Sequence, residues 1–183
     1  MKVLELTIEG RTPAAEAAEI FAEAEIETRE VAPGGVIAPL EPGAYDAILA
    51  AHVLQTVPRK DVVGELAEWV QGLVPGGALH LVVPDMMWAA LQMVHEAEAD
   101  QYVMGVLYGS AAVEHRSGFT VGGLRSAMAA AGLATQQARV GPYELHGHSP
   151  EGEDETVIAR QIYAVGLRRA DLEEAEHAAR GED

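Results

Sequence analysis

Cysteine is absent from the 183 residues, which removes disulfide frameworks, thiol nucleophiles, cysteine zinc sites and iron–sulfur clusters together and fits a reducing compartment. Cations are scarce: ten Arg and two Lys, Lys2 and Lys60, stand against 29 Asp and Glu, for a formal net charge of −17. A surface of that sign repels phosphate backbones and anionic membrane faces, so nucleic-acid binding is disfavoured. No apolar run approaches the ~20 residues that span a bilayer. Met1 leads straight into Lys2-Val-Leu-Glu-Leu without a basic-then-apolar leader, so the chain reads as cytoplasmic, neither exported nor membrane-spanning. Ser-His-Asp order, a phosphate loop and His-Glu-x-x-His are all missing, which leaves hydrolase and nucleotide-triphosphate chemistry without a foothold. Internal repeats and low-complexity linkers are missing as well.

What is present suits one soluble domain: 49% hydrophobic and 22% charged residues, in a chain long enough to bury a core without staples. The apolar run Lys2 to Ile8 reads as a strand covered on both faces. Thr12 and Pro13 then open an Ala/Glu-rich helix reaching about Ala24. A weaker strand follows over residues 26–31, and Pro33-Gly34-Gly35 stops it. Residues 32–45 read as loop around a stub of strand at Val36-Ile37-Ala38. Asp46 to Val53 is a further strand. From Pro58 the spacing of Val62, Val63, Leu66, Trp69, Val70, Leu73 and Val74 is helical, as far as Pro75-Gly76-Gly77. Ala78 to Val83 is the most strand-like run, and Pro84-Asp85 ends it ahead of a Met-rich helix from Met86 to about Ala99.

This alternation predicts an α/β fold, a mainly parallel sheet with helices on both faces. After an irregular stretch from Tyr108 to Phe119, Thr120 caps a helix to Ala131 with Gly132 as its stop. Two strands, about Gln136–Leu145 and Val157–Leu167, form an antiparallel hairpin around a polar acidic loop. The domain therefore spans residues 1–169, and residues 170–183 form a charged, solvated tail.

Three segments carry a family resemblance. Tyr45-Asp46-Ala-Ile-Leu-Ala-Ala-His52-Val-Leu54-Gln-Thr-Val57 resembles "fD-x-I-x-x-x-x-v-L-x-H-v", Leu73-Val-Pro75-Gly76-Gly77-Ala-Leu79 resembles "L-k-P-G-G-x-L", and Gly118-Phe119-Thr120 with Leu124 and Ala130-Ala131-Gly132-Leu133 resembles "f-t-x-x-x-L-x-x-x-l-x-x-A-G-F". In this order they are similar to the class I S-adenosylmethionine-dependent methyltransferases of the methyltransferase type 11 group. The resemblance implies a Rossmann-like sheet with a C-terminal antiparallel hairpin, S-adenosylmethionine as cofactor, and methyl transfer to a small molecule or protein.

The chain departs from that family twice. Where the family's first strand enters "V-L-E-I-G-C-G-x-G", this sequence reads Val3-Leu4-Glu5-Leu6-Thr7-Ile8-Glu9-Gly10, so Thr7 and Glu9 replace glycines that let the backbone approach the cofactor. The stretch before Asp46 is also one βα unit short. A non-catalytic relative, retained as a structural or protein-interaction subunit, is the alternative these departures raise.

By the resemblance, Glu5, Leu6, Thr7, Gly10, Glu30, Asp46 and His52 lie on the cofactor side. His52, at a strand exit, and His115, in the irregular segment, are the candidate catalytic groups. Each has a plainer reading: Asp46 fixes the entry to a strand, and His52 is a hydrogen-bonded strand end. Asp85 is a helix N-cap, and His115 a solvated loop residue. His146 and His148, near Glu144, Glu151, Glu153, Asp154 and Glu155, match no metal-ligand spacing and read as hairpin loop, so no metal is expected. Met86, Met87, Trp88, Met93, Val103, Met104, Val106 and Leu107 hold more flexible apolar surface than one helix buries, which predicts a homodimer.

Overall fold

The run Lys2–Ile8 is a strand, β1, for the reason its composition suggests: both faces are covered. Leu4, Leu6 and Ile8 are buried on one face and Val3 on the other. The computed structural model describes residues 1–8, 21–32, 37, 39–95, 101–109, 113–148 and 154–169. The expected helix from Thr12, the Val36–Ala38 stub apart from Ile37, and the tail from Ala170 lie outside them, except that residues 21–24 form a turn and Ile37 is not in a strand.

The remaining strands are β2 (Glu25–Val31), β3 (Tyr45–Ala51), β4 (Leu73–Pro84), β5 (Leu133–His148) and β6 (Asp154–Arg168), in the order β2-β1-β3-β4-β6-β5. The first four run parallel, and β6 is antiparallel to both of its neighbours. The expected mainly parallel α/β sheet with a terminal antiparallel hairpin is therefore present. That hairpin is longer than its apolar residues indicate, because ladder pairing continues through Gly147↔Glu155 to His148↔Asp154 into the stretch expected to be loop.

Among the described residues four helices connect these strands: α1 (Val62–Gly72), α2 (Met86–His95), α3 (Gln101–Tyr108) and α4 (Val121–Ala130). Helix α1 stops short of Val74 because Leu73 turns extended and pairs with Tyr45, while Arg168 Nη1 donates to the carbonyls of Leu73 (2.6 Å) and Gln71 (3.3 Å) at the helix end. A cation at that end also meets the negative pole of the helix dipole. Helix α4 starts and stops as expected: Thr120 Oγ1 accepts from the Gly123 N–H at 3.2 Å, and Gly132 takes φ of 90°, a left-handed conformation that glycine adopts without strain. Helix α3 occupies a stretch to which the sequence reading assigned no element, and only its last residue, Tyr108, falls in the part expected to be irregular.

Among the described residues the two faces of the sheet are covered differently. Helices α1 and α4 join one cluster of 27 buried residues centred on Leu66, Trp69, Leu124, Ile48 and Leu79. The opposite face carries two clusters of four, Val3-Phe21-Ala47-Leu49 and Ala89-Val103-Val106-Ala159.

Between Val31 and Tyr45 the described residues contain neither strand nor helix, as the shortened segment implied. This connection is strapped to α1 instead. The Ile37 N–H donates to Glu65 Oε1 (3.2 Å), the Gly43 N–H donates to the Gln71 carbonyl (2.9 Å), and a Cβ at Gly72 would stand 2.7 Å from Leu40 Cδ1.

Candidate functional site

Strand β1 pairs with β2 on one side and β3 on the other, so the chain leaves β1 in one direction and returns across it in the other. In open α/β sheets this switch point leaves a crevice at the carboxyl ends of the strands, where ligands bind. Here it is bounded by Ile8, Val31 and Ala51.

His52 follows at once. Its N–H extends the β3–β4 ladder by donating to the Val82 carbonyl at 2.8 Å, yet its φ is +56°, the one positive value among the described non-glycine residues. A left-handed backbone on such a residue costs of order 1 kcal/mol and concentrates at functional sites. The kink turns the chain out of the sheet into a short 3-10 turn, Leu54–Thr56, where Thr56 Oγ1 donates to the Val53 carbonyl at 2.8 Å.

Gln55, inside that turn, escaped the sequence reading. Its side chain is 1% exposed, and neither its Nε2 nor its Oε1 has a hydrogen-bond partner among the described residues. A buried carboxamide left so costs about 1–3 kcal/mol per group. Its backbone carbonyl is fully used, accepting from the N–H groups of Arg116 (2.7 Å) and Ser117 (2.9 Å). No pattern in the sequence marks Gln55, since only the turn makes it internal.

Thr7 is not in a turn at all. It belongs to β1, opposite Glu30 of β2, and its side chain is buried. The strand therefore runs two residues beyond the family's pattern, and Thr7 does not project into the crevice mouth as the replacement of a loop glycine would. Glu30 is exposed one residue before the end of β2. Glu5 is buried within β1, and Leu6 packs in the large core cluster. Gly10 lies outside the described residues. Asp46 is at the opposite end of the sheet from the crevice, where its Oδ2 accepts from the Lys2 N–H at 2.6 Å. That geometry is the strand-fixing one, and it separates Asp46 from Glu30 and His52.

His115 lies beyond α3. Its N–H donates to the Tyr108 carbonyl (2.9 Å) and its Nδ1 is 3.0 Å from the Val106 carbonyl oxygen. A carbonyl only accepts, so Nδ1 carries the proton and Nε2 is the basic nitrogen of the neutral ring. The bend that presents it needs Gly109 at φ +83°, where a Cβ would stand 1.9 Å from the Val113 carbonyl oxygen. Asp85 Oδ1 accepts from the Met87 N–H at 3.0 Å, which is the N-cap geometry expected of it.

Two cavities adjoin this end of the sheet. One, of about 340 Å³, is lined by Arg59, Met86, Arg116, Ser117, Gly118, Thr120 and Gly123. The other, of about 400 Å³, lies on the opposite face from the large core cluster, between Leu49, Val82, Gln137, Arg139, Gln161 and Tyr163. Among the described residues there is no cluster of three or more His, Asp or Glu able to hold a metal, and no helix is long and apolar enough to cross a membrane.

No family model matches the sequence, and no curated protein matches it significantly. Solved structures do match. A methyltransferase candidate from Bacillus halodurans is 11% identical, with 92% of each chain covered and a TM-score of 0.62. An S-adenosylmethionine-dependent methyltransferase from Methanosarcina mazei is 15% identical, again with 92% of each chain covered, at 0.54. The 1,6-didemethyltoxoflavin N1-methyltransferase of Burkholderia thailandensis, solved with S-adenosylhomocysteine, is 12% identical over 92% of this chain and 71% of that one, at 0.50. At such identities the likeness establishes architecture: the chain has the class I S-adenosylmethionine-dependent methyltransferase fold.

Proposed function

We propose that the protein is an S-adenosylmethionine-dependent methyltransferase acting on a small molecule or a protein, with its cofactor in the switch-point crevice. The observation that carries this reading is His52, held in a left-handed backbone where β3 opens into that crevice. The described residues fit the cofactor's chemistry. The exposed carboxylate of Glu30 at the end of β2 is an acceptor for vicinal ribose hydroxyls, and an acidic chain suits a sulfonium cation. Thr7, buried within β1, leaves the mouth open.

When bound, the cofactor supplies an electrophilic methyl group, and the protein chiefly binds, aligns and desolvates the two reactants. Glu30 and His52 would hold the cofactor side. His115, with Nε2 as its basic nitrogen, would take the proton of the methyl acceptor. Leu6 and Asp46 receive no role in this proposal, since Leu6 packs in the core and Asp46 accepts from the Lys2 N–H at the far end of β3.

Calorimetric titration of the full chain with S-adenosylmethionine and S-adenosylhomocysteine tests the reading. Binding is expected, and Glu30→Ala should weaken it by about tenfold, the loss of one charge-assisted hydrogen-bond pair. Absence of both heat and thermal shift at millimolar ligand would overturn it. It would favour instead a non-catalytic scaffold, the reading supported by the missing unit between β2 and β3.

The same protein is proposed to act as a homodimer through α2 and α3. Half of the Met-rich segment turns inward: Val103 and Val106 are buried, and Trp88 and Leu107 pack against them. What faces out is Met87, Leu91, Met93, Val94 (78% exposed), Met104 and Tyr108. Neither helix contains an Asp, Glu, Lys or Arg, so in a chain of net charge −17 this is a surface on which two copies meet without repulsion. Light scattering should give about twice the 19.4 kDa chain mass, reverting to one chain in Val94→Glu. A mass that stays at one chain as concentration rises rules the dimer out.

A further inference from the structure

We infer that the 340 Å³ cavity beside the exit of β4 is a binding site for the carboxylate of a small organic acid; that this acid is the methyl acceptor rests on the methyltransferase reading above. In a chain with twelve cations against 29 anions, two arginines line one cavity although they come from segments far apart in the sequence. Arg59 follows the 3-10 turn after β3, and Arg116 belongs to the segment that leads into α4.

The wall that carries Arg116 is firmly pinned. The N–H groups of Arg116 and Ser117 both donate to the Gln55 carbonyl, and Ser117 Oγ donates to the Val57 carbonyl at 2.5 Å. Opposite it, the Met86 N–H donates to the Phe119 carbonyl at 2.9 Å. Arg59 Nη1 reaches the Gly118 carbonyl at 3.2 Å, which holds its guanidinium over the cavity. The Met86 side chain packs against the Gly118 backbone, its Cε 1.9 Å from where a Cβ at 118 would stand; the thioether thus forms an apolar wall for the body of a ligand. The amino end of α4 also borders the cavity, but Thr120 caps it internally, so recognition rests on the guanidinium groups.

The charge count selects the ligand class. Arg116 Nε is already engaged by Glu114 Oε2 at 2.9 Å, so one of the two positive charges is compensated and a single net charge remains. That suits a monoanionic carboxylate better than a dianionic phosphate, and guanidinium forks match the planar geometry of carboxylate oxygens. A volume of this size accommodates a small organic molecule.

The test is calorimetry on the full chain with three probes of similar shape: benzoate, neutral benzamide and phenyl phosphate, with S-adenosylmethionine titrated separately. Benzoate should bind one per chain, benzamide at least about tenfold more weakly, and phenyl phosphate no more tightly than benzoate. Arg59→Gln and Arg116→Gln should each weaken benzoate by about tenfold and leave the affinity for S-adenosylmethionine as it was. Arg59 carries the test alone if Arg116→Gln lowers the melting temperature, since its hydrogen bond to the Gly118 carbonyl is at the surface. Equal binding of benzoate and benzamide, tighter binding of phenyl phosphate, or indifference to Arg59→Gln overturns the inference. If S-adenosylmethionine binds and benzoate does not, the acid site falls and the methyltransferase reading stands. If benzoate binds and S-adenosylmethionine does not, the acid site stands and the reaction falls.

Discussion

On one face of the sheet, β1, β3 and β4 send Leu4, Leu6, Ile48, Leu79 and Leu81 into a continuous layer closed by Trp69 and Leu66 of α1 and Leu124 and Met128 of α4. On the other, the same strands present Val3, Glu5, Leu49, His80 and Val82, and the described apolar packing there breaks into two small clusters separated by a cavity with Arg139, Gln137, Gln161 and Tyr163 in its walls. A strand of period two can serve both masters. The first face supplies stability through close packing, whereas the second tolerates buried polar groups and open volume. Stability and recognition are thus divided between alternate residues of the same strands.

The largest effect that would sharpen this contrast is Trp69→Ala. The ring is fully buried, and its Nε1–H donates to Glu65 Oε1 at 2.9 Å. Its removal should cost about 3–5 kcal/mol and leave a carboxylate that burial already pushes above its usual pKa with one donor fewer. Urea unfolding followed by circular dichroism reads this directly. Leu49→Ala, equally buried but beside the open cavity, should fall at the low end of its class, about 2 kcal/mol, because the neighbouring space is already unfilled. A cost as large as that of Trp69→Ala would break the comparison.

The smallest effect is a pH dependence on the polar face. His80 is half-buried, edge-on to Phe21 at 5.2 Å and hydrogen-bonded to the Tyr163 hydroxyl at 2.9 Å, and burial pushes its pKa below the ordinary value. The folded chain therefore keeps His80 neutral where the unfolded chain protonates it. The resulting stability is full above the ordinary histidine pKa of about 6.5 and is lost as pH falls through that value toward the folded one. Urea midpoints at about pH 7.5 and about pH 5.5 should differ less in His80→Asn than in the wild type. An unchanged difference would remove His80 from the account.

Much of this was legible beforehand where a local signal coincides with a tertiary one. The run Asp46 to Val53 is apolar because β3 is covered on both faces, and Thr120 with Gly132 marks both ends of α4 because caps are local chemistry. Helix α3 was missed because Gln101–Tyr108 is short and carries no polar stripe, although Asp100 before it and Gly109 after it are residue types that cap helices. The β5–β6 ladder runs past its apolar residues to His148↔Asp154, because backbone pairing requires no apolar pattern.

The site divides along the same line. His52 could be named from its place after a strand, yet its left-handed backbone could not. Gln55 becomes internal only when Arg116 and Ser117 dock onto its carbonyl. The pairing of Arg59 with Arg116 depends on a loop folding back over the exit of β4, which no periodicity encodes.

The missing unit also has a consequence for the outer rim of the sheet. Among the described residues nothing pairs with the far side of β2, so a strand that further pairing would have made interior ends the sheet with unpaired N–H and C=O groups. Such a margin is a template on which other chains can stack. Its sequence, Glu25-Ile-Glu-Thr-Arg-Glu-Val31, answers that hazard. Glu25, Glu27, Arg29 and Glu30 crowd seven residues with charge, and Lys2 Nζ adds an ion pair to Glu27 at 3.3 Å. Like charges brought into register across two such margins repel, so edge-to-edge fibre growth is blocked by β2 itself.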